Sequence, residues 1–79
     1  MKFKIHLKSI NDVKEFVRIV NDFSYDIDLA SGRYIVDAKS IMGIFSLDLS
    51  KPIDVEIHNP DNEDLNDLLL RLRPFIIQE

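Results

Sequence analysis

Phe3, Ile5 and Leu7 alternate with Lys2, Lys4, His6 and Lys8 along the first eight residues, the period-two pattern of a strand with one buried and one wetted face. The period then changes. Ile10, Val13, Phe16, Val17 and Val20 recur at helical spacing, with Lys14, Glu15, Arg18, Asn21 and Asp22 on the opposite side, which predicts an amphipathic helix. Ser9 or Asn11 can cap its start, and Asp12 suits the positive end of its dipole. Tyr25, Ile27 and Leu29 alternate with Asp26 and Asp28, and Tyr34 and Val36 follow Ala30-Ser31-Gly32, so two strands joined by a tight turn at Ser31-Gly32 are expected.

The next stretch, AKSIMGIFSLDLSKPI, reads as a short helix beginning at Ser40. Pro52 opens another alternating run, with Ile53, Val55 and Ile57 set against Asp54, Glu56 and His58, and Asn59-Pro60 marks a turn. From Asp61 to Arg73, Leu65, Leu68, Leu69 and Leu72 share a helical face, Asp67 and Arg71 form a spacing-of-four charge pair, and Pro74 ends or kinks the helix. The predicted order is βαββαβα. Because every strand is amphipathic, the fold class is α+β: an antiparallel sheet with helices on one face and water on the other, a two-layer sandwich. No repeat, linker or low-complexity segment interrupts it, so residues 1–79 are expected to form a single domain.

Composition narrows the function classes. A domain of 79 residues buries only roughly 60 to 65% of the surface its unfolded chain exposes, so almost every apolar residue is needed for one core. The chain has no cysteine, which excludes disulfides and cysteine metal sites. No apolar run approaches the ~18 residues of a membrane span, and the start alternates rather than forming a signal-peptide block, so a cytoplasmic protein is expected, with no membrane partner. A net charge of −4, with no cationic patch beyond the first strand, argues against nucleic acid. With two glycines in all, a phosphate-cradling loop has no material, and no Ser-His-Asp order is present; no cofactor is implied.

The element order, together with Lys39-Ser40-Ile41-Met42-Gly43-Ile44-Phe45-Ser46-Leu47, resembles the HPr family, the histidine-containing phosphocarriers of the bacterial sugar phosphotransferase system. The resemblance runs over nearly the whole chain and is most specific at Lys39 to Gly43. It implies an open-faced sandwich with a four-stranded sheet of order 1-4-2-3 and three helices on one face. It also implies that the short second helix is a docking surface and that its leading serine is a regulatory phosphorylation site. The catalytic half of the family pattern differs. A Gly-[Ile/Leu]-His-Ala-Arg-Pro-like motif heads the first helix in HPr proteins, its histidine accepting phosphate by way of Enzyme I. Here the stretch reads Ser9-Ile10-Asn11-Asp12-Val13-Lys14, with Asn11 at the histidine's place, Lys14 where the family has proline, and no arginine. Reversible phosphate carriage needs an imidazole, nucleophilic near neutral pH and a good leaving group afterwards; an amide is neither. In this respect the chain resembles the catabolite-repression HPr class, which lacks the histidine and keeps the serine.

Each candidate residue has a plain reading beside the functional one. Ser40 is an N-cap, and by resemblance a phosphorylation site, where Lys39 could pair with the added charge. Ile41, Met42, Ile44, Phe45 and Leu47 are too many for one face of a short helix; Ile44 suits the core, and Lys39, Ile41, Met42 and Phe45 fall where the family docks protein partners. The alternative is that all of them pack under the last loop. His6 and His58 fall on the open face in strands the family topology makes neighbours, where they read as solvated pairing rather than a metal site. Asp26, Asp28, Glu63, Asp64 and Asp67 read as solvent-facing charge with no pocket. The expectation is a non-enzymatic regulatory module that binds protein partners such as HPr kinase or a transcriptional regulator. The alternatives are a genuine carrier with an unorthodox acceptor such as Asp12, or an HPr-fold domain with an unrelated binding function.

Overall fold

The computed structural model describes residues 1–60 and 63–77, so Asp61 and Asn62 of the expected last helix lie outside the described residues. Four strands, β1 (Lys2–Ile5), β2 (Ile27–Ser31), β3 (Tyr34–Asp37) and β4 (Ile53–Ile57), form one antiparallel sheet of order β1-β4-β2-β3. Three helices, α1 (Ile10–Asn21), α2 (Ile41–Phe45) and α3 (Leu65–Leu72), supply the second layer, and a 3-10 turn at Arg73–Phe75 follows α3. Pro74 sits in that turn, where its missing amide hydrogen and fixed φ end the α-helix at Leu72.

The inward set of each strand is the apolar one. Ile5, Ile27, Leu29, Ile53, Val55 and Ile57 are buried, and they meet Val13, Phe16, Ile19 and Val20 of α1 and Leu68 and Leu72 of α3 in one core. Phe16 and Phe75 close its end edge to face, centroids 6.1 Å apart. The two outer strands are treated differently. The chain after the 3-10 turn runs back beside β1, with His6 N donating to Phe75 O at 2.9 Å and Ile77 N to Lys4 O at 3.0 Å. Among the described residues, none pairs with the outer side of β3.

Several expectations shift in detail. The hairpin turn is centred on Gly32 and Arg33, one residue later than expected, because Ser31 still pairs with Tyr34 and Gly32 takes the left-handed φ of 61°. Tyr25 is buried but precedes β2. Asn59 adopts φ 52°, the conformation asparagine tolerates best after glycine, at the expected Asn59-Pro60 turn. Arg71 does not pair with Asp67: it reaches across to α1, where its guanidinium donates to Asp22 at 2.8 Å and stacks 5.6 Å over the Phe23 ring. His6 and His58 do not approach each other. The β1-β4 register runs from Lys2↔Glu56 to Ile5↔Ile53, which sends the two histidines to opposite ends of the pair.

Candidate functional site

Two helix starts and one cleft hold the residues with chemistry. At α1, Ser9 is the N-cap, accepting from Asp12 N at 3.1 Å, while the Asp12 carboxylate accepts from Lys8 N at 2.9 Å. This exchange satisfies one amide that the helix start would otherwise leave open, Asp12 N, and the amide of Lys8 just before the cap. Asn11 lies one residue inside the first turn and is exposed. From Ser9 to Lys14 no side chain is an imidazole.

At α2, Ser40 is the N-cap, in extended conformation, exposed, its hydroxyl accepting from Gly43 N at 3.2 Å. The helix is short because it has little to bury: Ile44 alone is fully enclosed, and Ile41 packs half-buried against the core. Gly43 lets α2 lie close to β3. A Cβ there would stand 3.2 Å from the Val36 Cβ and 3.3 Å from the Ser40 hydroxyl, tighter than side chains normally pack. Met42, 78% exposed, and Phe45, 42% exposed, point outward on the far side. Both therefore lie on the outer surface of α2 rather than under the last loop.

Lys39 departs from that surface. Its ammonium donates to Phe23 O at 2.7 Å, so the expected pairing with a charge at Ser40 competes with an existing bond. The rest of its surroundings are a shallow cleft of about 310 Å³ lined by Tyr25, Asp26, Ile27, Asp28, Asp37, Lys39 and His58. The sequence implies solvent-facing charge with no pocket at Asp26 and Asp28; both do meet solvent, but they also line this cleft, and the His58 imidazole meets the Asp28 carboxylate at 2.8 Å. The β2-β4 pairing produces this neighbourhood, and the shared open face of Asp28 and His58 was the signal that could have found it. Among the described residues, no group of three or more His, Cys, Asp or Glu could hold a metal ion, and no helix is long and apolar enough to cross a membrane.

A 1-4-2-3 antiparallel sheet, helices on one face and a short serine-headed second helix define the open-faced sandwich of phosphocarrier proteins. A family model described as the PTS HPr component phosphorylation site matches residues 7–76. The chain belongs to the HPr family of the phosphotransferase system, whose members carry phosphoryl groups between partner proteins rather than acting as enzymes in the usual sense. Among solved structures it is similar to HPr-C-His from Thermoanaerobacter tengcongensis, at 28% identity over 91% of this chain and 89% of that one, with a TM-score of 0.72. It is also similar to the phosphocarrier HPr of Bacillus anthracis, at 23% identity over 98% and 96%, TM-score 0.68. A third is Crh, the Bacillus subtilis catabolite repression containing protein, at 24% identity over 94% and 88%, TM-score 0.61. The last two likenesses concern the fold alone. No curated protein matches the sequence.

Proposed function

We propose that this chain is a regulatory, protein-binding member of the HPr family that does not carry phosphate on a histidine and meets its partners through α2, under control of Ser40 phosphorylation. One observation carries the reading: the head of α1 is closed by Ser9 and Asp12 with no imidazole in residues 9–14, while the head of α2 offers an exposed serine beside outward Met42 and Phe45. At α1 the Asp12 carboxylate accepts from Lys8 N, and its negative charge opposes a second anion at that helix start. At α2 a phosphate on Ser40 adds about −1.5 to −2 charge next to an apolar surface and changes which partner surfaces fit it. Methionine and aromatic side chains suit an adaptable interface of this kind. Ser40, Ile41, Met42 and Phe45 are the residues assigned to contact, with Lys39 joining them only if its bond to Phe23 is released.

The test is a pair of labelling reactions. Phosphoenolpyruvate with Enzyme I leaves the protein unlabelled, whereas ATP with HPr kinase labels it once, and Ser40→Ala abolishes that label. Label from phosphoenolpyruvate that survives Asn11→Ala sinks the reading and makes the chain a carrier with another acceptor, Asp12 foremost.

A further inference from the structure

Among the described residues the sheet has one covered edge and one open edge, and the open edge is self-complementary. Ala38 N donates to Ile27 O at 2.9 Å, continuing the β2-β3 ladder in which Ser31 faces Tyr34 and Leu29 faces Val36. Antiparallel pairing alternates, so Tyr34, Val36 and Ala38 turn their backbone groups toward β2, and Ile35 and Asp37 turn theirs outward; the Arg33 carbonyl in the turn also points outward, opposite the Tyr34 N–H across their shared planar peptide. The side chains along this edge are unusual for an unprotected strand. Tyr34 and Ile35 are each 70% exposed, and β3 carries no lysine or proline of the kind that blunts free edges. Among the described residues Arg33 has no ion-pair partner, and the Asp37 carboxylate accepts only from Lys39 N, at 2.9 Å.

We infer that β3 pairs antiparallel with β3 of a second copy of this chain, about a two-fold axis through Ile35. The backbone parity excludes every symmetric register that sets an odd residue against an even one. Of the central registers that remain, one centred on Val36 places Asp37 against apolar Ile35 of the second copy and leaves Arg33 outside. The register centred on Ile35 sets Ile35 against Ile35 and Arg33 against Asp37 of the second copy, twice by symmetry, so apolar meets apolar and each charge meets its opposite. Four new backbone bonds follow: two between the Ile35 residues, and one from each Asp37 N–H to the Arg33 carbonyl across the axis. The Asp37 carbonyl already accepts from Ser40 N at 3.0 Å and is not needed. The result is a continuous eight-stranded sheet that leaves Met42 on α2 available for another partner. A contact of five residues a side is small, and the pairing belongs with weak, transient associations rather than obligate dimers.

The experiment is sedimentation velocity up to millimolar protein, with amide hydrogen exchange on the same samples. Wild type dimerises with concentration, and protection rises at the Ile35 and Asp37 amides but not at Tyr34 and Val36. Ile35→Lys, which sets two ammonium groups together at the axis, weakens the association by roughly tenfold or more. Arg33→Asp alone and Asp37→Arg alone are each monomeric, since each sets like charges opposite, while an equimolar mixture of the two associates because every pair is again complementary. If Asp37→Arg disturbs the turn it caps, the Arg33→Asp and Ile35→Lys results and the alternating exchange pattern still decide the matter. A wild type monomeric throughout overturns the inference and leaves the edge to an extended segment of another protein. A dimer indifferent to both Ile35→Lys and Arg33→Asp overturns it in favour of another surface.

Discussion

At the head of α1 the Ser9 hydroxyl takes Asp12 N and the Asp12 carboxylate reaches back to Lys8 N; at the head of α2 the Ser40 hydroxyl takes Gly43 N, and no acidic side chain occupies the first turn. The helices behind these caps differ as much. α1 runs twelve residues and buries Val13, Phe16, Ile19 and Val20, whereas α2 runs five and buries only Ile44. The first start is thus a finished structural joint, with its anion built in. The second is held by one side chain and keeps a hydroxyl in solvent beside Met42 and Phe45. In the function proposed above, the head of α2 is the one open to modification, whereas the head of α1 is occupied by its caps.

The largest expected effect attacks the single anchor. Ile44→Ala removes the only fully buried contact of α2 and leaves a cavity between it and the sheet, costing about 2–5 kcal/mol. A urea denaturation midpoint measures it, and a cost below that range would mean α2 is held by something other than Ile44. The caps come next. Ser9→Ala should cost about 1 kcal/mol, since an α1 amide loses its partner and α1 spans the core. Ser40→Ala should cost less than Ser9→Ala in the same assay, because the turn it caps is short and exposed. Ser40→Asp should stay within about 0.5 kcal/mol of wild type, aspartate being as good a cap as serine. A Ser40→Ala cost equal to or above that of Ser9→Ala would erase the distinction between a structural start and an available one.

The sheet was legible in the chain because its strands are amphipathic: alternation at Phe3-Ile5, at Ile27-Leu29 and at Ile53-Ile57 states which side is buried, and burial is what fixes register. Ile44 is read as inside because a short helix buries a single face, whereas the outward reading of Met42 rests on the resemblance to the family's docking positions. The misses are contacts between residues distant in sequence. Spacing offers Arg71 a partner at Asp67 four residues away but cannot show Asp22 at the end of another helix. Lys39 reads as a free cation until Phe23 O is brought beneath it. Assigning β1 and β4 as neighbours says nothing of how far one slides along the other, so His6 and His58 read as close when the register separates them. The pairing of Ile76 and Ile77 along β1 carries no pattern of its own, since two apolar residues show no period.

The smallest expected effect lies in the loop that leaves α2. Asp48 accepts from the Ser50 hydroxyl at 2.6 Å and from Ser50 N at 3.1 Å, and these bonds, with Lys51 nearby, hold its carboxyl below the usual carboxylate range. A carboxyl lowered on folding binds its proton less readily in the folded chain than in the unfolded one. Its contribution is therefore complete above its unfolded pKa and is lost as pH falls through the lowered folded value. Ser50→Ala removes the hydroxyl, the larger of the two hydrogen-bond causes, and leaves the amide. In carboxyl NMR titrations Asp48 should then move up toward the ordinary range without reaching it, and the acid-side loss of stability should become smaller and finish at higher pH, its onset at the unfolded pKa unchanged. No comparable change is expected from Ser46→Ala, whose hydroxyl bonds the Gly43 carbonyl inside α2 instead. If Asp48 titrates identically in wild type and Ser50→Ala, its depression comes from Lys51 or the backbone, and the loop after α2 is held by charge rather than by the serine.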